Sequence, residues 1–158
     1  MTQEEKKNIL LRDLCARLPY EPIVEYVIKG PGGSISITCK LDTFHIEELL
    51  QDSEDLVEVK PHLRPMSSMT EDEARDIAIL HGNEPVDILS IKVTDEYIDI
   101  ILDDGCCSTV TSTIWYDEII SSIECFDYLN KNMFDYRGLI PKDLALSTEI
   151  YNPYKDKD

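Results

Sequence analysis

An α+β fold, with helices and antiparallel strands segregated along the chain, is what this sequence predicts. Three observations lead there. Thr70-x-x-Glu73 is a capping box ahead of an apolar-periodic stretch, a local signature of a helix start. Two β-branched runs flank the dense turn Lys29-Gly-Pro-Gly-Gly33, as in a β-hairpin. Three further strand-like runs follow at short spacing, as in an antiparallel meander.

Taken in order, residues 4–18 read as an N-terminal helix. Leu11, Leu14, Cys15 and Leu18 recur at helical spacing and form an apolar stripe, with Arg12, Asp13 and Arg17 off it. Pro19 ends the helix and Pro22 bars its resumption. The hairpin strands are residues 23–28 and 34–39. In the second, Ile35, Ile37 and Cys39 alternate with Ser34, Ser36 and Thr38, which predicts one buried and one wet face. Residues 43–51 fit a helical turn or a strand equally, and 56–59 read as extended, ended by Pro61 and Pro65.

The capped helix is placed at 71–81. Glu71 and Asp72 oppose the positive end of its dipole, Met69 staples onto Ala74, and Gly82 supplies a left-handed C-cap. The meander strands are 86–93, 97–102 and 109–116, joined by Thr94-Asp-Glu96 and Asp103-Asp-Gly105. A C-terminal helix is expected over 117–130, with Ile119, Ile120, Ile123, Phe126 and Leu129 as its stripe. Residues 133–151 read as an irregular wrap packed through Phe134, Tyr136, Leu139, Ile140 and Leu146. The chain is read as one domain over 1–151, followed by a charged tail at 152–158 that frays.

The 158 residues carry 15 Lys and Arg against 32 Asp and Glu, a net charge of −17. The acids are spread along the whole chain. Such a surface repels phosphate backbones and anionic headgroups, so direct nucleic-acid binding and membrane binding are not expected. The chain shows no signal-peptide apolar region and no membrane-length run. Five cysteines at irregular spacing fit thiols of a reducing compartment, and the protein is read as cytoplasmic.

Few residues concentrate chemistry. His45, His62 and His81 show no metal-ligand spacing, and the adjacent pair Cys106-Cys107 is poorly disposed for a disulfide. Asp95, Glu96, Asp99, Asp103 and Asp104 gather at the meander turns, where turn chemistry explains them without a metal. No phosphate loop, dinucleotide fingerprint or nucleophile elbow is present, so no catalytic residue, cofactor or metal is assigned. Trp115, beside Tyr116 at a strand end, is read as core.

The interaction candidates are basic. Lys60, His62 and Arg64 lie on a proline-bounded segment able to take an anion or a partner's carboxylate, against an internal ion pair with the surplus acids. Arg137, flanked by Tyr136 and Gly138, poses the same choice, against anchoring a turn by stacking and by hydrogen bonds to backbone carbonyls.

Three stretches carry a resemblance: Leu11-Arg-Asp-Leu-Cys-Ala-Arg-Leu-Pro-Tyr20, Val59-Lys-Pro-His-Leu-Arg-Pro-Met-Ser-Ser-Met-Thr-Glu71, and Tyr128-Leu-Asn-Lys-Asn-Met-Phe-Asp-Tyr-Arg-Gly-Leu-Ile140. Over about residues 9–147 the chain resembles a family of small uncharacterised proteins of gut Bacteroides-type bacteria and their phages and prophages. The resemblance implies a cytoplasmic protein of phage or mobile-element origin and carries over no site residue. Where the family pattern has a glycine after Pro-Tyr and after Pro-Lys, this chain has Glu21 and Asp143.

The expectation is therefore a non-enzymatic interaction or regulatory protein whose partner is a host protein with a basic surface. The alternative is a small enzyme or ligand-binding domain with a site assembled from residues remote in sequence. The oligomeric state is left open.

Overall fold

A computed structural model describes residues 1–51, 53–103, 105–106, 108–116, 118–119 and 122–155. It is a mixed α+β protein that divides into two compact units. Unit 1 is discontinuous, Met1–Arg64 with Arg137–Asp158, and unit 2 is Pro65–Tyr136.

Unit 1 holds α1 (Gln3–Arg17), β1 (Ile23–Gly30), β2 (Gly33–Lys40), α2 (Thr43–Leu50) and β3 (Leu56–Leu63), with the two-residue strand β7 (Leu146–Ser147) returning late in the chain. Its sheet runs β2-β1-β3-β7. The first three strands pair antiparallel, and β7 joins β3 in parallel at His62 and Leu63. The 23–39 segment is a hairpin as expected, joined by the predicted glycine turn, with Gly33 at φ 130°. Residues 43–51 resolve as helix because Asp42 caps it: its carboxylate accepts from the His45 N–H.

Three sequence expectations for unit 1 are corrected. The buried face of α1 is Leu10, Asp13, Leu14 and Arg17, one position back from the predicted stripe, and Cys15 is exposed. Charge did not keep Asp13 and Arg17 outside because they neutralise each other there. β2 is the sheet edge and does not bury the predicted face: Ile35 and Ile37 are exposed, and of the three only Cys39 is partly buried against the core. β3 runs through Pro61, which sits opposite Val24; β7 pairs only with the two residues after it and asks no N–H of the proline.

Glu21 and Asp143 both adopt left-handed backbone, at φ 50° and 58°. Each acid is ion-paired to a lysine, Glu21 to Lys40 and Asp143 to Lys60. Beyond Tyr151, where fraying was expected, Pro153 is buried. The Tyr154 hydroxyl accepts from the Ile23 N–H at 2.9 Å and donates to the His62 carbonyl at 3.1 Å.

Unit 2 begins with α3 (Glu71–Leu80). The reciprocal cap is formed: the Glu73 N–H donates to Thr70 Oγ1 at 3.2 Å and the Thr70 N–H to Glu73 Oε2 at 2.8 Å. Gly82 takes the left-handed position, φ 100°. Then come β4 (Ile88–Val93), β5 (Tyr97–Asp103) and β6 (Thr109–Trp115), a three-stranded antiparallel sheet. The last helix, α4, is Ile123–Lys131; Ser122 caps it, so it starts later than the predicted 117. Asp117 and Ile120 of that expectation lie outside the described residues, as do Asp104, Cys107 and residues 156–158.

Each unit has its own core. In unit 1, Leu10, Leu14, Val24, Tyr26, Leu41, Ile46 and Val59 pack α1 and α2 on the sheet. In unit 2, α3 and α4 cover the sheet face bearing Ile91, Ile98, Ile100 and Ile114, with Phe134 fully buried among them.

Candidate functional site

The four basic candidates do not converge. Lys60 turns inward, its side chain 12% exposed, and its ammonium donates to Asp143 Oδ1 at 2.7 Å and lies 3.0 Å from Glu58 Oε1. Burial works against that charge, yet hydrogen bonds to Asp143 and Glu58 prevail and hold the Lys60 pKa above its ordinary value. The same bond to Lys60 lowers the Asp143 carboxyl. Lys60 also lines a cleft of about 330 Å³ with Lys6, Lys7, Leu10, Glu58 and Asp143, but two carboxylates already occupy its ammonium.

His62 is 3% exposed, and neither ring nitrogen has a hydrogen-bond partner among the described residues. Its ring meets the Tyr151 ring edge-on at 5.7 Å. Burial pushes its pKa down, with Glu25 acting in the opposite sense. Arg64 follows, half-buried and partnered. Arg137 directs Nε to Asp13 Oδ1 at 3.6 Å, so its guanidinium serves a buried carboxylate of α1.

What the sequence reading missed lies in unit 2. Strand alternation puts Tyr97, Asp99, Ile101 and Asp103 of β5 on the face opposite the core. Register sets Trp115, Thr113, Thr111 and Thr109 of β6 beside them and Lys92 of β4 across from Asp99. Trp115 is thus not core: it is 44% exposed, with its ring against Tyr97 at a centroid distance of 4.9 Å. Its side chain points outward because Ile114, its neighbour, takes the inward position. Thr113 donates to Asp99 Oδ1 at 2.8 Å, fixing that carboxylate in the middle of the face.

The charge around this face is lopsided in a way the whole-chain total hides. Acids divide evenly, 16 in each unit, but bases do not: 12 fall in unit 1 and only Arg75, Lys92 and Lys131 in unit 2. Unit 1 is therefore 12 − 16 = −4, and unit 2 is 3 − 16 = −13. Asp95 and Glu96, in the turn before Tyr97, are both exposed.

Among the described residues no group of three or more His, Cys, Asp or Glu is placed to hold a metal ion. No helix among them is long and apolar enough to cross a membrane. No family model, curated protein or solved structure matches the chain.

Proposed function

We propose that the protein is a non-enzymatic interaction protein that docks a basic partner on the outer face of the β4-β5-β6 sheet. One observation carries this reading: an exposed Trp115 set against half-buried Tyr97, with two sheet carboxylates, Asp99 and Asp103, within a unit of net charge −13. A charge of that size steers and concentrates cations. Lysine and arginine side chains then gain from both the carboxylates and the ring faces. Aromatic residues are the commonest energetic anchors of protein interfaces. The resemblance to proteins of gut Bacteroides-type bacteria and their phages supports a partner of host origin.

Trp115 is the only tryptophan, so its fluorescence reports on this face alone. An arginine-rich nonapeptide titrated into the protein is expected to change that emission saturably, with affinity falling steeply as salt rises. A glutamate-rich peptide is expected to leave it unchanged. Emission that ignores the basic peptide at low salt would overturn the proposal. So would equal binding by a variant in which Asp95, Glu96, Asp99 and Asp103 are all made neutral amides.

A further inference from the structure

In unit 1 the edge strand β2 lacks the devices that ordinarily keep such an edge single. Charged side chains, prolines and bulges blunt an exposed edge against pairing with another chain. From Gly33 to Cys39 there is no charge and no proline, and the ladder with β1 runs its whole length without a register shift. β3, open beyond its two-residue pairing with β7, carries Glu58, Lys60 and Pro61 instead. β6 is also an uncharged edge, but it belongs to the unit of net charge −13, whereas β2 belongs to the unit at −4.

The main chain of β2 is set out in a known order. Gly30 and Gly33 face each other across a two-residue turn, the hydrogen-bonded pair of such a hairpin, so odd-numbered residues of β2 bond to β1. Leu41 continues that parity: its N–H donates to the Pro22 carbonyl at 2.8 Å. The N–H and C=O groups of Ser34, Ser36 and Thr38 therefore point away from β1, and among the described residues no strand lies there to take them.

We propose that β2 is the seam of a homodimer: two copies pair antiparallel along it, Ser36 opposite Ser36, and join their sheets into one. This register sets Ile35 of each copy opposite Ile37 of the other. Both isoleucines stand on the core-bearing face of the sheet, since Ile37 pairs with the buried Tyr26, yet they are 48% and 42% exposed. Four isoleucine side chains then cover one another beside the two cores. On the other face Ser34 meets Thr38, hydroxyl against hydroxyl.

Self-pairing suits this strand better than a charged partner does. A basic or acidic segment finds no counter-charge between Gly33 and Cys39, while a second copy meets no like charge there. Lys40, at the strand end, is already ion-paired to Glu21 of its own chain. The contact is isologous, each copy using the same edge, so pairing consumes both edges and the assembly stops at two.

The test is the mass of the full chain by sedimentation equilibrium as concentration rises from about 1 µM to about 1 mM. Wild type is expected to pass from one chain to two. Repulsion between two chains of net charge −17 opposes the contact, so added salt should strengthen it, opposite in sign to the binding of a basic peptide by unit 2.

Ser36→Pro gives up an outward N–H and the exposed Oγ bond to Glu25, and leaves the β1 ladder its hydrogen bonds. It should stay a single chain across the whole range, with a melting temperature at low concentration close to that of wild type. Amide exchange of wild type supplies a check free of any substitution. Ser34, Ser36 and Thr38 should gain protection at high concentration, while Ile35, Ile37 and Cys39 are protected throughout. A wild type that remains one chain at about 1 mM, a dimer that Ser36→Pro leaves intact, or outward amides that exchange equally fast at both concentrations would overturn the proposal.

Discussion

Arg17 grips Asp13 with two hydrogen bonds, Nε to Oδ2 at 2.8 Å and Nη2 to Oδ1 at 3.0 Å, and neither side chain touches solvent. Arg137 approaches the same carboxylate from a segment more than a hundred residues later in the chain. Asp13 is therefore the point where α1 and the returning chain of unit 1 are tied by charge.

Breaking one partner of a buried pair strands the other. Asp13→Asn is expected to cost about 3–5 kcal/mol, because the Arg17 guanidinium stays buried without its counter-charge. The double change Asp13→Leu with Arg17→Met should cost much less than the sum of the singles. Urea denaturation of Asp13→Leu, Arg17→Met and the double variant checks this; additive losses would mean the two residues contribute independently.

The cap on α3 is the most local prediction. Thr70→Ala removes the acceptor for the Glu73 N–H and should cost about 1 kcal/mol. An unchanged urea midpoint would show that the cap contributes nothing.

His62 gives unit 1 an acid sensitivity. Its folded pKa lies below the ordinary value of 6.5, so the unfolded chain takes up a proton that the folded one refuses. The stabilisation is complete above about pH 6.5 and declines as pH falls below it. His62→Phe keeps a ring against Tyr151 but cannot titrate. Melting temperatures of wild type and variant between pH 7.5 and 5.5 should diverge, with wild type falling faster; parallel lines would refute the role.

Three tyrosines set an alkaline limit. Tyr116, whose hydroxyl donates to the Thr94 carbonyl at 2.8 Å, is pushed up to about 12 by burial and by Asp95. Tyr26 and Tyr154 are also raised, chiefly by burial. Ionisation is disfavoured in the fold, so stability holds below pH 10 and falls as pH climbs toward 12. Tyr116→Phe should flatten part of that fall, measured by tyrosine absorbance alongside circular dichroism.

How far the sequence could be read depended on how local each cause was. Thr70, Glu73 and Gly82 act within one helix, and their geometry is as predicted. The strands of the meander follow from alternation and turns, but which residues face water depends on where the core lies. The sequence therefore reads Trp115 as core, while in the fold Ile114 takes the inward place. Asp13 and Arg17 look like a surface pair one helical turn apart, yet both side chains are fully buried, and Arg137 reaches Asp13 from the returning chain. β7 is two residues long and has no periodicity to detect.

The split make-up of unit 1 has a consequence for biosynthesis. Unit 2 is one uninterrupted stretch, so a ribosome delivers all of it before Arg137, Leu146 or Tyr154 exists. Until those residues emerge, β3 lacks its parallel neighbour, Asp13 lacks its second arginine, and the Ile23 N–H lacks its tyrosine. The nascent chain thus carries an unsealed N-terminal half while its middle matures, a window in which chaperones or a premature strand partner find the open edge.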